Sequence, residues 1–415
     1  MLNSSLMITT DSFFRLIFKT ILLLVFLFGG FLQFFVGVPS TLYALIILVL
    51  IFSFINIHTL ISRKIYLSKL FFVSVMYLLV IVLSGVVNKT DLFKTLLYFI
   101  FPLTPLGVFY LYRILQKRGF DIENFVNSFF KLVAIIQLPI ILIQKYGYNF
   151  LIQFNNSNQR INDYDFMFGS FFIKADHALG FFLLLYIMNI IFKLRQNKLK
   201  KIPWGMLFYL SITILIMESN LSKLMLFLVL SYYFFLWLYS KINVIGIFVM
   251  FFVGILMFNL ALKVPAIEGQ HEYFKTKYNK ETSLHAFKEG YAKRPQVIVT
   301  YATHIPVKLI GDGPYDYYNI FKGKFKQTKH FSQLIWTYND LGLIGVFIII
   351  LLAYFMIKRL SLSKESTFLF MVILLFYLFL TNVFSDLAMM LSFILLNNVK
   401  KVKVNHSHGP IIKLN

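Results

Sequence analysis

Residues 70–87 read LFFVSVMYLLVIVLSGVV, a run with no charged residue, opened by Lys69 and closed by Asn88-Lys89. A helix that crosses the hydrocarbon core of a bilayer needs about 20 consecutive, mostly apolar residues at about 1.5 Å each. Runs of this kind recur along the 415-residue chain, which is 59% hydrophobic and 14% charged. Soluble domains average about 45–50% apolar and about 25% charged. The implied fold is all-α, a polytopic membrane helix bundle. About twelve spans can be placed, near 17–36, 39–57, 70–87, 95–112, 125–146, 178–192, 204–218, 223–240, 242–262, 336–357, 367–383 and 385–399.

The charges order these spans. Arg15 and Lys19, Arg63, Lys64 and Lys69, Arg113, Lys117 and Arg118, the Lys193–Lys201 cluster, Lys241, Lys358, Arg359 and Lys364, and Lys400, Lys401 and Lys403 fall on one side of the membrane. The short turns near 37, 88–94, 218–222 and 384 hold few positive charges. Cytoplasmic loops collect Lys and Arg, so both termini are expected in the cytoplasm. The first apolar run follows Arg15 and Lys19 and lacks a small-residue cleavage pattern, so it is expected to stay as the first helix.

Four regions result: a bundle of nine helices over 1–262 with an outer loop at 147–177, a long extracytoplasmic loop over 263–335, three C-terminal helices over 336–399, and a short polar tail over 400–415. The net charge of +23 is first a topology signal. Nucleic-acid binding has that number as its only support, and no nucleic-acid partner is expected. With no Cys there is no disulfide or thiolate chemistry. Walker-type and H-E-x-x-H motifs are missing. Asp163-Tyr-Asp165 has the form of a metal-binding pair, but reads better as a solvated loop, and no metal is expected.

Three stretches could carry chemistry. In 159–180, Arg160 and Lys174 stand among aromatic residues on a loop that leads into a helix, and an Arg fork suits phosphate oxygens. Interfacial anchoring explains the same residues. Glu218-Ser-Asn-Leu-Ser222-Lys223 is either an exposed hairpin with a snorkelling Lys or an inward-pointing cation at the membrane surface. The long loop carries twelve Lys/Arg against six Asp/Glu. Within it, 264–290 reads as a cover, and Lys293-Arg294 opens an apolar, β-like section through Tyr301. Gly311-Asp-Gly313-Pro314-Tyr315 reads as a tight turn. Lys322, Lys324, Lys326 and Lys329 form a basic patch. His330 precedes a polar helix entry and is either an interfacial residue or a base, since an unperturbed His titrates near pH 6.5.

Taken in order, these motifs resemble the O-antigen ligase/O-antigen polymerase superfamily of bacterial polysaccharide assembly. That pattern has an Arg followed by Gly-x-Phe and a polar helix entry, here Arg160 and Gly169-Ser-Phe-Phe through His177-Ala-Leu-Gly. It has a Ser-Arg-type pair at a short outer turn, here Ser222-Lys223, where Lys keeps the charge and loses the bidentate fork. It has an Arg before a Gly-x-Gly-Pro turn, here Arg294 and Gly311-Asp-Gly313-Pro314. It ends on a His and Gly-x-x-Gly, here His330 and Gly342-Leu-Ile-Gly345, with Phe331 where a small polar residue is common. Coverage is about 160–230 and 294–345; the first 150 residues match only as generic membrane spans.

The resemblance implies a GT-C-like membrane enzyme of the bacterial cytoplasmic membrane. It would be a metal-independent glycosyltransferase without cofactor, whose donor and acceptor are oligosaccharides on polyprenyl (undecaprenyl) diphosphate, with a chain-length regulator protein as a partner. His330 would be the general base. Arg294 would act in catalysis and, with Arg160 and Lys223, hold the diphosphate. Gly311, Gly313, Pro314 and Tyr315 would support the loop. Arg160, Lys223, Arg294 and His330 are expected to close on one pocket. Ligation onto lipid A core is a rival within the superfamily. A flippase or other transporter is a rival outside it, for which paired halves or interrupted helices would be expected.

Overall fold

The computed structural model of the protein describes residues 2–62, 68–173, 175–195, 203–239, 246, 248, 252, 275–316, 332–360 and 363–396. All regular structure among these residues is helical. The main helices are α1 (Leu2–Leu23), α2 (Ser40–Ser62), α3 (Lys69–Val87), α4 (Leu92–Tyr98), α5 (Ile100–Lys117), α6 (Ile122–Tyr146), α7 (Asp176–Arg195), α8 (Trp204–Ile216), α9 (Asn220–Tyr239), α10 (Lys280–Glu289), α11 (Arg294–Thr303), α12 (Gln333–Leu360), α13 (Lys364–Leu380) and α14 (Leu387–Leu396).

Seven helical stretches among the described residues are long and apolar enough to cross a membrane: Ser12–Val36, Leu42–Leu60, Lys69–Val87, Leu92–Lys117, Asn124–Tyr146, Asp176–Leu194 and Gln333–Lys358. The protein is therefore a helical membrane protein. The spans expected near 204–218, 223–240 and 385–399 correspond to the shorter apolar helices Trp204–Ile216, Asn220–Leu236 and Leu387–Leu396. The span expected at 242–262 lies outside the described residues apart from positions 246, 248 and 252.

A helix that is apolar all round belongs in the middle of a bundle. Every side chain from Ala178 to Ile187 on α7 is buried, as is every residue of α14, and the two helices pack on each other. Helices α3 and α12 pair antiparallel: Ser84 donates to the Asp340 carbonyl at 2.8 Å near one end, and Lys69 lies 6.0 Å from the Phe355 ring at the other.

The basic helix ends gather at one end of the bundle. The Arg118 guanidinium lies 4.1 Å over the Phe14 ring and donates to His58 Nδ1 at 3.1 Å, Arg15 sits over Phe120, and Lys193 donates to Asn127 at 2.6 Å. The segments assigned to the other side also meet one another. Asn156 N–H donates to the Phe34 carbonyl, Asn88 to the Gly311 carbonyl, and Val383 and Phe384 N–H to Gln333 Oε1. Among the described residues, these two sets of contacts lie at opposite ends of the helices that carry them.

At this second end the loop before α7 dips back into the bundle. Ser170 Oγ donates to the Phe26 carbonyl at 2.5 Å, where the first span widens into a π-helical turn over Leu24–Phe28. Gly30 lets the loop close in, since a Cβ there would overlap the Phe171 carbonyl oxygen. Irregular backbone inside a bundle must find protein partners for its polar groups. Two glutamines of α6 supply them: Gln144 bonds both the N–H and the carbonyl of Gly169, and Gln137 bonds the N–H and the hydroxyl of Ser170. Gln137→Leu is expected to cost about 1–3 kcal/mol, because it leaves the buried Ser170 N–H without an acceptor; thermal unfolding of the purified protein measures this.

Candidate functional site

The second end is organised around an interruption. α12 breaks at Gly342, whose φ of 72° and ψ of −164° belong to no helix. A break frees carbonyls on one side and N–H groups on the other. The segment 308–313 takes up both sets. Asp312 N–H donates to the Asn339 carbonyl at 2.8 Å and Gly313 N–H to the Asp340 carbonyl at 3.1 Å. Leu343 N–H donates to the Lys308 carbonyl at 3.0 Å and Ile344 N–H to the Leu309 carbonyl at 3.3 Å. The turn read at Gly311–Pro314 therefore mates with the break. Gly313, at φ 109°, packs against Thr90, and Gly311 against the backbone of Asn339 and Asp340.

Asp340 is fully buried at this junction. Its Oδ2 accepts from Trp336 Nε1 at 2.6 Å and from Tyr315 N–H at 2.9 Å, and its Oδ1 accepts from Asn339 Nδ2 at 3.1 Å. Aromatic rings wall it in: Tyr98 lies 5.4 Å from Tyr315 and 6.1 Å from Trp336, and Phe101 lies 5.1 Å from Trp336. Burial, and then the Asp340 charge, push the Tyr315 phenol up to about 12, which keeps it neutral at physiological pH.

The section 294–301, expected to be β-like, is helix α11. Val297-Ile-Val-Thr-Tyr301 favours strand by residue type, but Pro295 fits the first helical turn and Lys293 N–H donates to Gln296 Oε1 at 2.8 Å, an N-terminal cap. Val297, Thr300 and Tyr301 are buried, with Tyr301 edge-on to Phe287 of α10. α10 itself falls in the section read as a cover; its residues 280–289 pack on α11, whereas 264–274 lie outside the described residues.

α11 joins two clusters. At its C-terminal end Tyr301 OH donates to Asn339 Oδ1 at 3.0 Å, beside Asp340. At its N-terminal end stands the exposed Arg294, whose charge acts on the His177 ring after burial and the Asp176 charge. His177 opens α7. Its Nδ1 is 2.8 Å from Ser219 Oγ and 3.5 Å from Asp176 Oδ2. Ser219 Oγ is 2.7 Å from Ser222 Oγ, which is 2.9 Å from Tyr377 OH. Gly180 makes room for this row, since a Cβ there would overlap Ser222.

Of the residues singled out from sequence, the Ser222–Lys223 turn is bonded to His177 through Ser219, and Arg294 reaches His177 only through its charge, which acts on the ring after burial and the Asp176 charge. Lys223 is half-buried, and neither it nor Arg294 forms an ion pair with a described residue. Arg160 is exposed and makes no hydrogen bond or ion pair with a described residue, so the contacts around His177 do not extend to it. His330 and the lysines of the basic patch lie outside the described residues, as does Lys174. His330 stands two positions before Ser332, whose hydroxyl caps α12 by accepting from Ile335 N–H at 3.2 Å. Asp163 is exposed, with its carboxylate on Tyr164 N–H. No group of three metal-ligating side chains converges among the described residues.

Sequence reasoning passed over Asp340, Asn339, Ser219 and Tyr377, and named His177 and Ser222 only as separate motif residues. Asp340 carried a signal: a lone carboxylate two residues before a glycine in an apolar helix. No family model matches the chain, and no curated protein matches it.

Proposed function

We propose that this protein transfers and polymerises polyprenyl-diphosphate-linked oligosaccharide repeat units at the outer face of the bacterial cytoplasmic membrane, as an O-antigen or capsular polysaccharide polymerase. The bundle then has about twelve spans, with both termini in the cytoplasm and the 263–335 loop outside. The observation that carries this reading is the bonding of His177 to Ser219 and Ser222, on the turn that carries Lys223, at the bundle end away from the basic helix termini; Lys223 and Arg294 form no ion pair with a described carboxylate. The positive-inside rule puts that end outside the cytoplasm, where an anionic lipid headgroup would meet the cations.

In the reaction, an acceptor hydroxyl attacks the anomeric carbon of the donor sugar. The new C–O bond forms as the bond to the diphosphate breaks, and the polyprenyl diphosphate leaves with the electron pair. His330 accepts the hydroxyl proton. Arg294, with Lys223 and Arg160, stabilises the charge that grows on the leaving diphosphate, which preorganised cations do best where water is excluded.

In a reconstituted assay with lipid-linked oligosaccharide, Arg294→Ala and His330→Ala are each expected to slow chain growth about a hundredfold. Undiminished growth in both variants would sink the reading. Ligation onto lipid A core uses the same chemistry; a null strain that accumulates finished polymer on its carrier, rather than single repeats, indicates it. The interruption at Gly342 is a feature that transporters use to bind substrates. Here four of its freed backbone groups are already bonded to 308–313, which favours the transferase.

A further inference from the structure

The row of hydroxyls behind His177 has a direction, and the direction decides what His177 offers to a ligand. Tyr377 is fully buried, and its phenol has one hydrogen-bond partner, Ser222 Oγ at 2.9 Å. A buried donor left without an acceptor costs about 1–3 kcal/mol. Tyr377 therefore donates to Ser222, Ser222 donates to Ser219, and Ser219 donates to His177 Nδ1. Run the other way, from a protonated Nδ1 down the row, the chain would end on a Tyr377 O–H with no acceptor. Asp176 does not reverse this: its carboxylate is 3.5 Å from Nδ1 against 2.8 Å for Ser219, beyond the usual hydrogen-bond range of about 2.7–3.2 Å. In the neutral ring the proton then sits on Nε2. That nitrogen has no hydrogen-bond partner among the described residues, and the His177 side chain is 21% exposed. Two charges act on that ring, Asp176 first and Arg294 after it.

We infer that His177 Nε2–H is a hydrogen-bond donor to the diphosphate of the lipid-linked substrate, held in that tautomer by the Tyr377–Ser222–Ser219 row. The inference rests on the reading that the substrate is a lipid diphosphate. It gives His177 a binding role distinct from that of His330: a fixed N–H for a non-bridging phosphate oxygen, a hydrogen bond strengthened by the charge of its acceptor. It also gives the buried hydroxyls of Ser219, Ser222 and Tyr377 a use beyond the bond that Ser219 Oγ accepts from Ser222 N–H.

The test is a titration of the full-length protein, in phosphatidylcholine nanodiscs, with undecaprenyl diphosphate. His177→Leu is expected to weaken binding about tenfold to a hundredfold, the worth of one hydrogen bond to a charged group. His177→Gln, whose amide can place an N–H near the Nε2 position, should bind within about threefold of wild type. Tyr377→Phe removes the end of the row and frees the ring to exchange tautomers, which should weaken binding about three- to tenfold. Should His177→Leu fail to fold, the contrast between His177→Gln and Tyr377→Phe decides. Equal losses in the Leu and Gln variants, with equally lowered thermal unfolding, would make the row a structural one and overturn the inference. A loss that is as large for phosphatidylglycerol as for undecaprenyl diphosphate would overturn the diphosphate assignment. Wild-type binding in His177→Leu together with lost binding in Arg294→Ala would remove His177 and leave the proposed function standing. No binding to the wild-type protein would remove both.

Discussion

Alanine at Gly342 is expected to leave little folded protein. The position has φ 72° and ψ −164°, a region essentially restricted to glycine, where another residue costs about 1–3 kcal/mol. The added Cβ would also meet backbone: it would overlap the Leu309 carbonyl oxygen and stand 2.6 Å from the Leu309 carbonyl carbon and 2.8 Å from that of Ile310. Backbone cannot rotate away as a side chain can. Segment 308–313 would have to withdraw, and its four hydrogen bonds to the broken helix would go with it, at about 0.5–1.5 kcal/mol each. The total is about 4 kcal/mol or more, against a typical folding stability of about 5–15 kcal/mol. Size-exclusion profiles and thermal unfolding of the purified variant measure the loss. Gly205→Ala is the control: a Cβ at that helical position meets nothing within 4 Å, and alanine there should be neutral or slightly stabilising.

The same junction marks where the sequence stops being readable. Residues 70–87 announce a span, and α3 runs over Lys69–Val87, because the bilayer demands a composition that shows in every residue. The apolar run at 125–146 likewise becomes α6. Gly311-Asp-Gly313-Pro314 and Gly342-Leu-Ile-Gly345 can each be recognised as a local feature. That they mate cannot be read, because the bonds joining them are backbone to backbone and leave no side-chain signature. α11 reads as strand because Val297, Ile298 and Val299 are β-branched; its helix is decided by a cap at Lys293 and by burial against α10, a partner the local pattern does not reveal. Arg294 was visible as an Arg before a glycine turn. The row behind His177 was not: His177 and Ser222 stood out only as separate motif residues, and nothing local ties them to Ser219 or to Tyr377 on α13.

Asp340→Ala is expected to cost about 3–5 kcal/mol, and to harm function beyond that. The carboxylate is fully buried, and its own desolvation is unfavourable. Replacing it does not recover that term cleanly, because its donors stay behind. Trp336 Nε1–H and Tyr315 N–H both point at Oδ2, and each loses its acceptor at about 1–3 kcal/mol. Asp340→Asn separates charge from shape. The amide oxygen can replace Oδ2, but its NH₂ then faces the Asn339 NH₂ that donated to Oδ1. Asn339 cannot turn over freely, since its Oδ1 accepts from Tyr301 OH. The asparagine variant should therefore fold, lose about 1–3 kcal/mol, and loosen the Tyr301 contact. Tyr301 lies on α11, the helix whose first residue is Arg294. A looser C-terminal anchor lets α11 shift, and the guanidinium with it, relative to His177. Diphosphate binding in Asp340→Asn should fall although no residue touching the ligand has changed. Combining Asp340→Asn with Tyr301→Phe should add little further loss, because both act on the same contact. Additive losses in that double mutant would place the effect of Asp340 elsewhere than on α11.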